Sequence, residues 1–239
     1  MSLLKEYDAR TRWKYAPICG SFHTHEGLAN KVDPDGRYAP FAGSTVVFKA
    51  DEKCIDTVSE MQNRLYQRLD GIGMLADVLP ASTIHMTLHD LISPEMCSAE
   101  AMNSREVYKL EVENSLRSAV EMSAAIREEF AGKTIHMAAD RIVNMVAKAL
   151  VLLLRPLTEE DFELLMELYE RFDCIQKLPY PLTPHITLAY FRPGEINGDV
   201  LGEAVRSCQV DPERAPVFAF TVEGIAVQRF EDMVTYVDA

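Results

Sequence analysis

Basic residues are scarce in this chain of 239 residues. Only 24 lysines and arginines stand against 37 aspartates and glutamates, so the formal net charge is −13. A protein that binds long nucleic acid usually has a basic surplus that neutralises the phosphates along the strand. The charge therefore argues against a long nucleic-acid partner and favours a small or single-ended ligand.

Long apolar runs are also missing. The longest, residues 149–154, is far shorter than the ~20 residues that a membrane-spanning helix needs, and it fits a buried strand better. Residues 1–16 are rich in charge and contain no apolar core of a secretion signal. We expect a soluble cytoplasmic protein that has no membrane partner and is a monomer.

The five cysteines are odd in number, scattered, and without a Cys-x-x-Cys pair. This pattern predicts free thiols and neither a disulfide framework nor a zinc cluster. His23 and His25, with Glu26 beside them, have a spacing that metals use, but the sequence places no third ligand. We therefore predict no metal and no cofactor.

The chain has an ordinary globular composition, 48% apolar and 26% charged. Within it, two segments repeat the same order of strand, helix and strand. In the first, residues 44–49 predict a strand, 56–69 a helix and 83–88 a second strand. The second has the corresponding strand at 149–154, a helix at 158–172 capped by Thr158, and a strand at 184–191.

The two repeats also correspond beyond their second strands. The patterns of residues 135–151 and 218–237 each predict a strand, a short break and another strand. We predict an arm over residues 1–43 that packs on a two-lobed domain over 44–239. The first lobe spans about 44–145 and the second about 146–239. Residues 104–130 predict an inserted helix, either a lid or a cover on the back of a sheet.

Each final strand of the two segments opens with the motif His-x-Thr-Leu: His85-Met86-Thr87-Leu88 and His185-Ile186-Thr187-Leu188. Side chains alternate on an extended strand, so each histidine and its threonine share one face while the apolar pair faces a core. One copy would be weak evidence, but two copies in matching places of a duplicated chain indicate a shared site.

Two histidines suit the hydrolysis of a phosphodiester. A base must take a proton from the attacking hydroxyl or water, and an acid must protonate the departing oxygen. With an ordinary pKa of about 6.5, one imidazole can be neutral while the other is protonated. Each threonine hydroxyl can donate to a non-bridging phosphate oxygen. This chemistry requires no metal.

The paired motifs resemble the signature of the 2H phosphoesterase superfamily, which includes cyclic nucleotide phosphodiesterases and RNA 2′–5′ ligase-like proteins. The resemblance covers about residues 44–237. It implies an α+β fold of two pseudo-symmetric lobes, with mainly antiparallel sheet, outer helices and motif strands facing a central groove. It carries the catalytic roles over to His85, Thr87, His185 and Thr187.

Two further residues are candidate substrate contacts. The resemblance implies that Tyr190, an aromatic residue five positions after the second histidine, contacts the nucleoside. Strict alternation points Tyr190 away from the groove, so either a β-bulge intervenes or Tyr190 is a core residue. His89 shares the face of His85 by alternation and is a second candidate; the alternative is a solvent-exposed histidine at the strand end.

Other interpretations stay open. The histidines can be structural strand residues, and a protein of this fold can bind a nucleotide or RNA end without turning it over. The candidate substrates are a nucleoside 2′,3′-cyclic phosphate, an ADP-ribose cyclic phosphate, a 2′–5′ linked oligonucleotide and an RNA 3′ end.

Overall fold

The computed structural model describes residues 11–239 together with Lys5, Asp8 and Ala9, and the rest of the predicted arm lies outside the described residues. In this part of the chain the α-helices are α1 (Glu52–Arg68), α2 (Arg105–Glu129), α3 (Glu159–Asp173) and α4 (Gly198–Cys208). The strands are β1 (Tyr15–Ala16), β2 (Ser21–His23), β3 (Gly43–Lys49), β4 (His85–Asp90), β5 (Thr134–Met145), β6 (Ala149–Pro156), β7 (His185–Tyr190), β8 (Glu195–Asn197), β9 (Val217–Thr221), β10 (Ile225–Phe230) and β11 (Tyr236–Asp238).

The helices α1 and α3 follow the first strand of each repeat, and both begin at a side-chain cap. The Asp51 carboxylate accepts a hydrogen bond from the Cys54 backbone N–H at 2.7 Å, which starts α1 several residues before the predicted position. Thr158 and Asp161 form a reciprocal capping box at the start of α3. These local signals determine where each helix begins.

Two antiparallel sheets form the centre of the described structure. One has the strand order β11-β10-β3-β4, and the other has the order β1-β5-β6-β7 with β9 paired to the first part of β5. The order β10-β3-β4 thus repeats as β5-β6-β7, and the motif strands β4 and β7 are the last strands of the two orders. The predicted α+β class with mainly antiparallel sheet is confirmed.

The strand pairing crosses the predicted lobe boundary near residue 145. The strand β5, assigned to the first lobe, pairs with β6 of the second repeat, while β10, assigned to the second lobe, pairs with β3. Each repeat therefore contributes a strand to the other sheet. A local apolar pattern predicts that a segment is extended, but tertiary packing decides which sheet edge it joins.

The inserted helix α2 covers a sheet. Its buried residues lie at helical spacing and face β3 and β10, against which the helix packs. They are Val112, Ser115, Leu116, Ala119, Ser123 and Ile126. Of the two alternatives for this insertion, the structure supports the cover, because no residue of α2 lines the cavity between the motif strands.

Candidate active site

The strands β4 and β7 lie next to one another and bring the four predicted catalytic side chains to one cavity of about 330 Å³. His85, Thr87, His185 and Thr187 all line this cavity and are half-buried. The residues between them are fully buried on the opposite face, as alternation requires: Met86, Leu88, Ile186 and Leu188.

Each motif strand contains a β-bulge at its leucine. In the pairing of β4 with β3, the register passes from Thr87 directly to His89, so Leu88 has no partner of its own. In the pairing of β7 with β6, the register passes from Thr187 to Ala189, so Leu188 also has no partner. An extra residue of this kind reverses the alternation for all residues that follow it.

The bulges exchange the residues that face the groove. Asp90 and Tyr190, which strict alternation points into the core, line the cavity. His89 and Ala189, which alternation points toward the groove, are buried at 1% and 0% exposure. Of the two alternatives for Tyr190, the structure supports the bulge.

The placement of His89 corrects the sequence-based expectation, because this residue neither lines the groove nor faces solvent. Its Nδ1 bonds to the Asp90 carbonyl at 2.6 Å, and its Nε2 lies 3.3 Å from Asp173 Oδ1. The ring packs against Tyr169 and Phe172 of α3. His89 therefore ties the first motif strand to the helix of the second repeat.

A backbone group two residues earlier in the chain acts on each groove histidine. The His185 ring donates a hydrogen bond from Nδ1 to the Thr183 carbonyl at 2.7 Å, and the backbone of Thr83 raises the pKa of His85. The His85 ring additionally meets the edge of Tyr236, with ring centroids 5.3 Å apart. When Nδ1 carries the proton, Nε2 is left as an acceptor that can act as a base.

Burial lowers the pKa of both rings. The pKa of His85 is lowered to about 4, first by burial and second by the neighbouring His185, while the backbone of Thr83 and the Asp90 charge oppose the shift. For His185 burial also lowers the pKa, the Thr183 bond raises it, Lys14 lowers it and Asp90 raises it. Both imidazoles are therefore neutral at pH 7 in the ligand-free protein, and an anion between them would favour protonation.

Part of the cavity lining is charged. Three lysines (Lys14, Lys31, Lys148) and two carboxylates (Asp90, Glu95) line it, so the local balance is +1 with neutral histidines. The Lys148 ammonium pairs with Glu95 at 2.9 Å, and Asp90 accepts a hydrogen bond from the Tyr180 hydroxyl at 2.9 Å. The groove thus differs in sign from the chain as a whole, whose net charge is −13.

Another part of the lining is aromatic and apolar. Phe41 and Phe230 stack with ring centroids 6.2 Å apart. The Tyr190 ring meets the Tyr38 edge at 6.0 Å, and its hydroxyl contacts Met233 Sδ at 3.2 Å. This surface offers stacking faces next to the histidines.

Sequence reasoning missed Asp90, Lys14 and Tyr180 as groove residues. Strict alternation points Asp90 away from the groove, and only the β-bulge at Leu88 turns it into the cavity. Lys14 belongs to the arm, whose position on the body carries no sequence signal. Tyr180 follows the Leu178-Pro179 pair that precedes the second motif strand, and a tyrosine in a loop has no signature of its own.

The comparison with known families agrees with the motifs. The family model described as "2H-phosphodiest: Domain of unknown function (DUF1868)" matches residues 31–145, which include the first motif, β3 and α1. The resemblance to the 2H phosphoesterase superfamily is thereby confirmed. No curated protein sequence matches the chain significantly.

The chain is similar to several solved structures. A conserved protein of unknown function from Agrobacterium tumefaciens strain C58, ATU0111, is 15% identical with a TM-score of 0.59, and the match covers 91% of this chain and 93% of that one. The protein TT0787 of Thermus thermophilus gives 14% identity, coverages of 82% and 93% and a TM-score of 0.49. Escherichia coli LigT complexed with ATP gives 12% identity, coverages of 84% and 96% and a TM-score of 0.44. At these identities the first match supports a common fold, and the other two scores are too low to add to it.

The described residues contain no group of three or more His, Cys, Asp and Glu side chains arranged to hold a metal ion. His25, part of the His-x-His pair, instead caps a short turn by accepting from the Gly27 N–H at 3.0 Å. In the same part of the chain no helix combines the length and apolar character needed to cross a bilayer.

Proposed function

We propose that the protein is a metal-independent phosphodiesterase that hydrolyses a cyclic nucleotide phosphate or a phosphodiester at an RNA end. One observation carries the proposal: two histidines, each with a threonine two residues further along its strand, line a single cavity. Its volume of about 330 Å³ falls in the range of small-ligand pockets.

In the proposed reaction, one neutral imidazole takes a proton from water while the water oxygen bonds to phosphorus. The other imidazole, protonated once the phosphate is bound, donates its proton to the ester oxygen as that P–O bond breaks. Thr87 and Thr187 donate hydrogen bonds to the non-bridging oxygens, where negative charge grows. One proton enters and one leaves the pair, so exchange with solvent restores it.

The lining supports a nucleotide as the substrate. The aromatic surface that includes Phe41, Phe230 and Tyr190 suits the face of a base, and we assign Tyr190 a contact with the nucleoside. Asp90 is available to accept from a ribose hydroxyl. A small nucleotide or short RNA end also agrees with the net charge of −13, which opposes association with long RNA. A role in RNA processing, the cytoplasmic location and the monomeric state stay predictions.

A second candidate function is binding of a nucleotide or RNA end without turnover. It is favoured by the placement of both imidazoles in one cavity, where burial and the second ring lower the pKa of His85 to about 4. A pair of neutral imidazoles contains no acid until an anion raises the pKa of one ring. If the bound ligand did not raise it enough, the same groove would bind and not catalyse.

Incubation with a panel of substrates tests the proposal. The panel contains a nucleoside 2′,3′-cyclic phosphate, an ADP-ribose cyclic phosphate, a 2′–5′ linked oligonucleotide and an RNA 3′ end, with products identified by mass spectrometry. Hydrolysis of one member that is lost in His185→Ala and kept in His23→Ala would support the enzyme. Saturable binding without product would favour the second function, and neither binding nor turnover of any member would contradict both.

A further inference from the structure

The N-terminal segment reaches the groove along the edge of a sheet. A 3₁₀ turn over Arg12–Lys14 leads into β1, which pairs with the end of β5. The Lys14 carbonyl accepts a hydrogen bond from the Val146 N–H at 2.8 Å, so the backbone of Lys14 is attached to the turn that joins β5 and β6. This attachment holds the lysine at the rim of the cavity.

The Lys14 side chain is directed by contacts on the second repeat. Its Nζ donates a hydrogen bond to the Pro181 carbonyl at 2.9 Å and lies 4.4 Å from the centre of the Tyr180 ring. An ammonium group has three N–H donors. One is used by the carbonyl, and the ammonium also lies over the Trp13 ring, 5.8 Å from its centre. The two rings act as cation–π partners and contain no acceptor as strong as a phosphate oxygen, so N–H donors remain for an anion in the cavity that Lys14 lines.

Lys14 differs from the paired lysine of the cavity in its charge environment. Among the described residues, no carboxylate lies within the 4.0 Å of an ion pair with Lys14, whereas Lys148 in the same cavity is paired with Glu95 at 2.9 Å. Asp90 acts on Lys14 electrostatically and raises its pKa, but forms no ion pair with it. A half-buried cation of this kind gains most from an anion that enters the cavity.

We propose that Lys14, supplied by the N-terminal segment, binds the phosphate held between His85 and His185 and neutralises its charge. This inference rests on the proposed function, because it assumes that the groove takes a phosphate. It makes the arm part of the substrate-binding site and assigns the anionic phosphate group, rather than the nucleoside, to the end of the cavity beside His185.

The electrostatics of the groove agree with this assignment. Burial lowers the pKa of Lys14 to about 8, and Asp90 acts in the opposite direction. Lys14 in turn lowers the pKa of His185, and both side chains line the same cavity. The groups that face Lys14 are therefore Asp90 on β4, His185 on β7 and Tyr180 in the loop before β7. A bound phosphate would raise the pKa of both Lys14 and His185.

Calorimetric titration with inorganic phosphate tests the inference without relying on turnover. We expect Lys14→Met to weaken phosphate binding about 10- to 100-fold, the usual effect of losing a hydrogen bond to a charged group. Lys14→Arg should retain most of the affinity. Lys53→Met is the matched control, because the Lys53 Nζ also donates to a backbone carbonyl, that of Val217 at 3.0 Å, but lies outside the cavity.

The pH dependence separates Lys14 from the other groups. Wild-type affinity should fall between about pH 8 and pH 10, as Lys14 loses its proton, while Lys14→Arg should show a much smaller fall because arginine keeps its charge. Equal phosphate affinity in wild type and Lys14→Met, both folded by circular dichroism, would overturn the inference and leave the proposed function intact. Absence of phosphate binding in the wild type would instead contradict the phosphate site itself.

Discussion

Asp90 and Tyr190 occupy corresponding positions on the two motif strands, each five residues after its histidine and each turned into the cavity by a bulge at the preceding leucine. The repeats thus agree in backbone geometry and differ in chemistry, with a carboxylate on one side and a phenol on the other. This difference makes a nearly symmetric groove able to bind an asymmetric ligand.

The second bulge is stabilised from the opposite repeat. The Gln62 side chain of α1 is buried and its Nε2 donates to the Leu188 carbonyl at 3.0 Å. We expect Gln62→Leu to lower the free energy of unfolding by about 1–3 kcal/mol, because a buried carbonyl loses its donor. Chemical denaturation measures this, with Gln67→Leu on the exposed face of α1 as the control. Equal effects of the two substitutions would contradict the role of Gln62.

Removal of either groove histidine should stop the chemistry and spare the fold. His85→Ala and His185→Ala should each lower kcat by about 10² to 10⁴, the usual contribution of a positioned acid or base. Steady-state kinetics on the substrate identified from the panel measures the effect, and His23→Ala, an exposed histidine outside the cavity, should match the wild type. Turnover near the wild-type rate in either variant would refute the assigned roles.

The threonine hydroxyls should act mainly in the transition state. Thr87→Val and Thr187→Val keep the shape of the side chain and remove the donor, so we expect kcat to fall on the order of 10- to 1,000-fold with a smaller change in KM. Thr57→Val on α1, whose hydroxyl bonds the Lys53 carbonyl at 2.8 Å, is the control. A rise in KM alone would show that the hydroxyls bind substrate without stabilising the transition state.

The lowered pKa of the histidines predicts two different pH profiles. In the free protein a proton on either ring becomes abundant only well below the ordinary pKa of 6.5, since burial lowers the pKa of His85 to about 4 and also lowers that of His185. The profile of kcat/KM, which reports the free enzyme, should therefore peak below about pH 6.5. The profile of kcat should peak at higher pH, because bound phosphate raises the pKa of the acid. Coincident profiles would argue against this electrostatic account.

Activity should survive a chelator. The histidine pair provides both proton transfers in the proposed scheme, so EDTA should leave kcat unchanged. Loss of turnover that is restored by a divalent cation would indicate a metallophosphoesterase instead. Dialysis of an untreated sample in parallel controls for loss of activity during handling.

Local pattern was enough to predict the features that depend on neighbouring residues. The spacing of His85 and Thr87, and of His185 and Thr187, predicts one polar face because side chains alternate on any strand. The cap at Thr158 predicts the start of a helix because the unpaired N–H groups of its first turn need an acceptor close in sequence. The strand, helix and strand order of both repeats follows from such signals.

Tertiary structure decided which residues share the groove. The bulge at Leu88 turns Asp90 into the groove in place of His89, and the bulge at Leu188 turns Tyr190 into it. The second bulge is held by Gln62 of the other repeat. The pairing of β10 with β3, and the attachment of the arm that delivers Lys14, likewise depend on partners more than a hundred residues away. Such contacts leave no period or spacing in the sequence, because they are selected by the packing of the whole core.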